Sequence, residues 1–257
     1  MVILGWLLWA ASAWAAPQGH TLTVEGHTLH AVEAGDPSLP PVLFVHGSPG
    51  DWHAWSAYLQ REDLLARAHL IAIDRPGYGG SEPGRAEGDM DVQARVALAA
   101  LALNRSGRPA VLVGHSLGGP IIARAAMLAP EQVAGLVFLA PSIDPQEEHW
   151  RVYNRLATLR WVQRLISPDL VTSNEEIHPF KAQLQAWLPQ WEDIHAPAVL
   201  VQGGKDALVS PKNADFGERM LHDVLVIRIP TANHFIPWTH TDLCLDALRG
   251  MLARLGW

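Results

Sequence analysis

Val111-Leu-Val-Gly-His-Ser-Leu-Gly-Gly119 is the stretch from which the fold can be read. Residues 110–113 have the length and β-branching of a buried strand. The run stops at Gly114-His-Ser-Leu-Gly118, a G-x-S-x-G sequence, and residues 121–129 then read as an Ala-rich helix that ends at Pro130. Strand, tight turn and helix in that order are what a nucleophile elbow requires. Glycines without Cβ atoms let the chain reverse sharply, with Ser116 at the apex in a strained conformation. Pro120 falls in the first helical turn, where a missing N–H costs least.

Working outward, the same alternation recurs. Residues 21–24 and 28–33 predict a hairpin about the Glu25-Gly-His27 turn. A short buried strand at 42–45 runs into His46-Gly-Ser-Pro-Gly50, and a short helix is expected at 52–59. A second buried strand, 69–73, ends at Asp74-Arg-Pro-Gly-Tyr-Gly-Gly-Ser81, and a helix over about 91–104 leads to the elbow strand. Beyond the elbow helix come a strand at 133–140, a break at Pro141-Ser142, strands at 198–201 and 224–229, and a last helix at about 242–255. Between them, residues 143–195 read as helical and carry Trp150, Trp161, Trp187 and Trp191. Strands alternating with helices give an α/β fold with a mostly parallel sheet covered on both faces. Residues 143–195 are then an insertion into one domain spanning 17–257 rather than a second domain.

Bulk properties exclude several classes. Of the 257 residues 49% are hydrophobic and 18% charged, an ordinary globular balance. The net charge is −7 and no Lys/Arg cluster of the kind that neutralises phosphates stands out, which argues against nucleic acid as a partner. Cys244 is the lone cysteine, so no internal disulfide can form, and no Cys/His spacing reads as a metal site. Residues 1–16 are almost wholly apolar, with an Ala13-Trp-Ala15 stretch resembling a cleavage site. They predict a signal peptide, hence an exported protein, or else an uncleaved N-terminal anchor that would be the one point of membrane association. Without a functional leader the expectation is a cytoplasmic protein.

Taken together, the His46-Gly-Ser-Pro-Gly50, Asp74-to-Ser81, Gly114-to-Gly119, Gly204-Lys-Asp206 and Asn233-His-Phe235 motifs, each at a predicted strand end, resemble the α/β-hydrolase superfamily. The likeness is to its small esterase-like members with a helical cap, and it covers nearly all of the chain from about Thr21. It implies Ser116 as nucleophile, His234 as its base and Asp206 as the carboxylate that orients the base, in the chain order Ser–acid–His. Asp144, just past the preceding strand, is the rival acid. The resemblance also implies an oxyanion hole made by the backbone N–H groups of Leu117 and Ser48, with the Ser48 hydroxyl a third donor by speculation. His115 is read as a packing or hydrogen-bonding residue, and Asp74 and Arg75 as structural.

Serine at 116, where relatives that form alkyl esters carry aspartate, points to acyl transfer on a small-molecule carboxylic ester, with no metal or organic cofactor. The same triad would also serve carbon–carbon bond hydrolysis, lactone opening or perhydrolysis. A binding protein of this fold without turnover is the reading from another class. Trp150, Trp161, Trp187, Trp191 and Trp238 are expected to roof an apolar substrate pocket. Asn233 stands where many relatives have glycine, and Asn tolerates the left-handed conformation that such a position would ask for.

Overall fold

In the computed structural model, which describes residues 16–257, the chain opens on a hairpin of β1 (Gln18–Val24) and β2 (His27–Ala34). Its two-residue turn has both φ angles positive, Glu25 at 53° and Gly26 at 77°, the twist that matches flanking antiparallel strands. β3 (Pro41–Val45) follows. A 3₁₀ turn at Trp52–Trp55 then leads into the short helices α1 (Ser56–Leu59) and α2 (Glu62–Leu65). β4 (His69–Ile73) and α3 (Met90–Ala99) precede the central unit, β5 (Ala110–His115) and α4 (Gly118–Leu128). The expected helix over 91–104 is therefore shorter, finishing as a 3₁₀ turn at Ala100–Leu103. The elbow helix begins three residues before the expected 121, directly at the turn.

β6 (Val133–Leu139) is followed by four short helices, α5 (Val152–Leu156), α6 (Arg160–Gln163), α7 (Pro168–Ile177) and α8 (Phe180–Ala186). The chain then returns through β7 (Ala198–Gly203), α9 (Asn213–Met220), β8 (Val224–Ile229), α10 (Ile236–Thr239) and α11 (Thr241–Arg254). Helices α2, α9 and α10 have no counterpart in the sequence reading. The leader read at 1–16 lies, except for Ala16, outside the described residues. Among the described residues no helix is long and apolar enough to cross a membrane.

The eight strands form one sheet in the order β1-β2-β4-β3-β5-β6-β7-β8, antiparallel only where β1 meets β2 and β2 meets β4. Every residue of β3, β4, β5 and β7 is buried, as parallel strands require when helices cover both faces. Alternate residues feed two cores. Leu43, Val45 and Leu112 pack beneath α3 and α4, whereas Val42, Phe44, Val111 and Val113 share the opposite core with α1 and α11. In register, Val45 pairs with Gly114, so the loops after β3 and β5 leave the sheet side by side at its carboxyl edge.

That adjacency sets a steric limit. A Cβ on Gly118 would collide with the backbone oxygen of Val45, so α4 can start against β3 only with glycine there. Gly118→Ala should cost about 1–3 kcal/mol through overpacking against rigid backbone. Gly250, on the exposed side of α11 with open space where a methyl group would stand, provides the contrast. Gly250→Ala should gain about 0.5–1 kcal/mol through helix propensity alone. Urea denaturation of the two variants checks both signs.

Candidate active site

Ser116 sits at the apex between β5 and α4 with φ of 53°, in the left-handed region that a non-glycine residue enters at a cost. Its N–H donates to the Leu139 carbonyl at 3.0 Å, and its own carbonyl accepts from Gly119 N–H at 2.9 Å. The turn is thus tied both to the following helix and to the end of β6. Leu117, next in the chain, is buried and shares with Ser116 the wall of a cavity of about 840 Å³.

Asp206 lies just beyond β7, and its carboxylate is saturated by donors. Oδ1 accepts from the N–H groups of Leu208 at 2.9 Å and Val209 at 2.8 Å. Oδ2 accepts from Gln202 Nε2 at 3.2 Å and from His234 Nδ1 at 2.7 Å. Four donors fix the carboxylate's direction, and the fourth fixes the imidazole. His234 reaches this point because Gly203 leaves room: a Cβ there would stand 2.6 Å from the Ala232 carbonyl oxygen of the histidine loop. Ser116, Asp206 and His234 all line the one cavity.

Asp144, the rival acid, is turned elsewhere. It is buried, its N–H donates to Asn213 Oδ1 at 2.7 Å, and its Oδ1 accepts from Gln146 N–H at 2.8 Å. It caps its own turn and makes no hydrogen bond with His234. His115 donates from Nε2 to the His234 carbonyl at 3.1 Å, with the two rings 4.8 Å apart. Burial, reinforced by the neighbouring His234 ring, pushes the His115 pKa down from the ordinary 6.5 to about 3. His115 therefore stays neutral and holds the loop of His234 in place. Asn233 does not adopt the left-handed conformation anticipated for it; its Oδ1 accepts from Phe235 N–H at 2.9 Å instead, turning the loop through its side chain.

The loop after β3 is held by Arg75 from below. Arg75 donates from Nε to the His46 carbonyl at 3.0 Å and from Nη2 to the Gly47 carbonyl at 2.8 Å. Its Nη1 meets Glu176 Oε2 on α7 at 2.7 Å, with both side chains fully buried. Burial works against the Arg75 charge, yet the Glu176 carboxylate outweighs it and leaves the guanidinium pKa above its usual value. Glu176 also accepts from Tyr78 OH at 2.6 Å and from the Ser48 hydroxyl. The Ser48 hydroxyl is thereby committed to α7, and the speculation that it serves as a third oxyanion donor does not hold. Ser48 keeps its backbone N–H, and the residue borders the cavity. Sequence reasoning passed over Glu176. Its signal was available: Thr172, Ser173 and Glu176 make one face of α7 polar, where a helix packed on an apolar core would show a stripe.

None of the five tryptophans lines the cavity. Trp187 is buried beneath the Arg124 guanidinium and Trp191 packs edge-on against Phe216. Trp150 meets His178, while Trp161 and Trp238 are largely exposed. Aliphatic side chains, Leu156, Val162, Ile166, Leu170 and Ile177, line the space instead, beside polar ones that include Arg151, Tyr153, Asn154, Ser173 and Asn174. Short helices give no stripe from which to tell the cavity side from the core or solvent side, so Trp187 and Trp191 went to packing and Trp161 to the surface. At another wall the half-buried Glu148 accepts from the Ser142 hydroxyl, and its loss of solvent raises its pKa. Among the described residues no group of three or more His, Cys, Asp or Glu is placed to hold a metal ion.

Known proteins resemble the chain over most of this framework. A family model described as "alpha/beta hydrolase fold" matches residues 40–183. The dihydrolipoyllysine-residue acetyltransferase component of the acetoin cleaving system of Pseudomonas putida is 31% identical over 86% of this chain and 65% of its own length. The 2-succinyl-6-hydroxy-2,4-cyclohexadiene-1-carboxylate synthase of Salmonella typhimurium is 34% identical over 53% of this chain and 52% of its own. The chain thus spans about half to two thirds of the length of these curated relatives. A solved hydrolase structure from Pseudomonas aeruginosa superposes with a TM-score of 0.72 at 16% identity, covering 94% of this chain and 99% of that one.

Two outcomes follow from the buried charges. Glu176→Gln strips the partner from a buried guanidinium, and stability should fall by about 3–5 kcal/mol in denaturant titrations. The folded state keeps His115 neutral well below the pH at which the unfolded chain binds a proton there. The unfolded state then holds more protons, so stability is fully present above about pH 6.5 and drains away as pH falls towards 3. Urea unfolding at several pH values should show that slope, and His115→Gln should make it shallower, leaving the part due to the buried His46, whose pKa burial also lowers.

Proposed function

The chain belongs to the α/β-hydrolase fold family, and on that footing we propose that this hydrolase is a serine hydrolase of small to medium carboxylic esters. Ser116 attacks the ester carbonyl carbon as its proton passes to His234 Nε2. Asp206 holds the Nδ1 proton and stabilises the imidazolium. The negative charge that develops on the carbonyl oxygen is met by the N–H groups of Leu117 and Ser48. Collapse of the tetrahedral intermediate returns the proton from His234 to the departing alcohol and leaves an acyl group on Ser116. Water, deprotonated by the same histidine, attacks the acyl-enzyme and releases the acid.

The observation that carries this reading is the combination of a strained serine and a carboxylate-bound histidine opening on one cavity. A serine hydroxyl is a weak nucleophile at neutral pH unless a base adjoins it. Among the described residues no other imidazole with a carboxylate partner lines that space. Aliphatic residues over the opening fit the hydrocarbon part of an ester better than a charged one.

Fluorophosphonate labelling of the purified protein, read by peptide mass spectrometry, should place one adduct on Ser116, absent from Ser116→Ala and His234→Ala. Asp206→Asn should keep the fold and lower kcat on p-nitrophenyl esters by about four orders of magnitude, because the histidine tautomer is no longer held. Undiminished turnover in Ser116→Ala would overturn the assignment. If instead the enzyme labels at Ser116 but turns over only lactones or vinylogous ketones, the nucleophile stands and the ester class falls.

A further inference from the structure

We propose that the outer face of α5 and α6 is a docking surface for a bilayer carrying anionic lipid. The first observation is exposure. Val152, Tyr153, Leu156, Trp161, Leu165 and Leu170 are all largely solvent-exposed, with Leu165 at 77% and Val152 at 73%. Scattered apolar residues on a surface need no explanation, but this many within one short stretch do.

The second observation is charge. From 149 to 174 the sequence holds four arginines, Arg151, Arg155, Arg160 and Arg164, against one carboxylate, Asp169, in a chain whose net charge is −7. All four arginines are exposed, and none forms an ion pair among the described residues. Elsewhere on the surface Arg61, Arg85, Arg95, Arg228, Arg249 and Arg254 each pair with a carboxylate, while Arg67, Arg105, Arg108 and Arg219 also go without an acidic side chain but do not stand among exposed aliphatic and aromatic side chains in one stretch. Because these four are spaced four or five apart, no cluster shows in the sequence; it emerges only once exposure is known.

Basic residues interleaved with exposed leucine, valine, tyrosine and tryptophan match the chemistry of an anionic membrane interface. Guanidinium groups meet the lipid phosphates, indole and phenol rings settle at the headgroup level, and aliphatic chains enter the acyl boundary. A nucleic acid would use the charge and leave the aliphatic residues in water; an apolar protein partner would leave the arginines unpaired. Tyr153, Leu156 and Leu170 are at once exposed and part of the cavity wall, so the docking face adjoins the cavity. The inference stands on surface chemistry and does not depend on what Ser116 does.

The test is co-sedimentation of the full chain with vesicles of ether-linked lipids, which no ester hydrolysis can alter. Phosphatidylglycerol-containing vesicles should bind the protein much more tightly than pure phosphatidylcholine, and added salt should weaken the binding. Each basic residue at such a surface contributes roughly fivefold, so R155E/R164E should weaken binding by roughly 25-fold or more. W161S/L165S should weaken it roughly tenfold or more through lost apolar burial. Neither pair borders the cavity, so turnover of a soluble ester should be unchanged in both. Binding that survives both substitutions would place membrane contact elsewhere, in residues 1–16 for example, and overturn the proposal. Absence of binding overturns it too, as does concentration-dependent self-association abolished by W161S/L165S without vesicle binding, which would make a second copy the occupant.

Discussion

The left-handed backbone at Ser116 is the constraint on which the rest of the structure depends. A non-glycine residue at φ of 53° costs on the order of 1–3 kcal/mol, and it persists only where the surroundings over-determine it. They do so here from three sides. β5 fixes the approach at the centre of the sheet, α4 begins immediately after and is wedged against β3, and the end of β6 supplies the Leu139 carbonyl. Parallel strands then bring the other parts of the candidate site to the same edge. β3 on one side delivers the His46–Gly47–Ser48 backbone, and β7 and β8 on the other deliver Asp206 and His234, all at the carboxyl edge.

A second constraint couples this edge to the helices over it. Arg75 holds two carbonyls of the His46 loop and at the same time the Glu176 carboxylate of α7. A buried ion pair contributes little net stability over an apolar substitute, because desolvation offsets the attraction. Its value is directional. Guanidinium and carboxylate must meet in register, and Tyr78, Gln93 and Ser48 fill the remaining positions, so α7 has one seat relative to the loop. The Ser48 side chain is held by a residue of the inserted helices, and the candidate site cannot be regarded as belonging to the sheet alone.

This division explains what could be read from the sequence. The inner strands were legible because parallel, doubly covered strands must be continuous apolar runs, and 69–73 emerges with the very limits anticipated; so does the edge strand 224–229, only half covered, through its β-branched alternation. Ser116 and Asp206 stood out as candidates because each follows such a run beside glycines that mark close approach, whereas His234, whose turn holds no glycine, was singled out by the family resemblance. Asp206 and Asp144 could not be ranked by spacing, since both follow strands; the Asn213 side chain that ties up the Asp144 turn lies far along the chain. The polar face of α7 hinted at Glu176, but its pairing could not be read for the same reason, its partner Arg75 being more than a hundred residues away. The tryptophans misled because hydrophobic bulk says that a residue is buried or exposed to something, never to what.

The inserted helices are held unevenly, and that bears on how they work. α8 is rooted in the core by Phe180, Leu184 and Trp187, and Gln183 joins it to α3 through Met90 N–H at 2.8 Å and the Gly88 carbonyl at 2.7 Å. α7 is rooted by Glu176. α5 has one buried polar attachment, the Asn154–Asn174 pair, whose two hydrogen bonds measure 3.0 and 3.1 Å. α6 contributes no fully buried residue at all. Local stability follows buried contact, so the α5–α6 side is the part of the roof that opens at least cost. It is also the part whose apolar and basic side chains lack partners within the described chain. An apolar surface that is loosely held gains most from an external phase able to bury it, and the cavity wall it shares is the part of the site such a phase would meet.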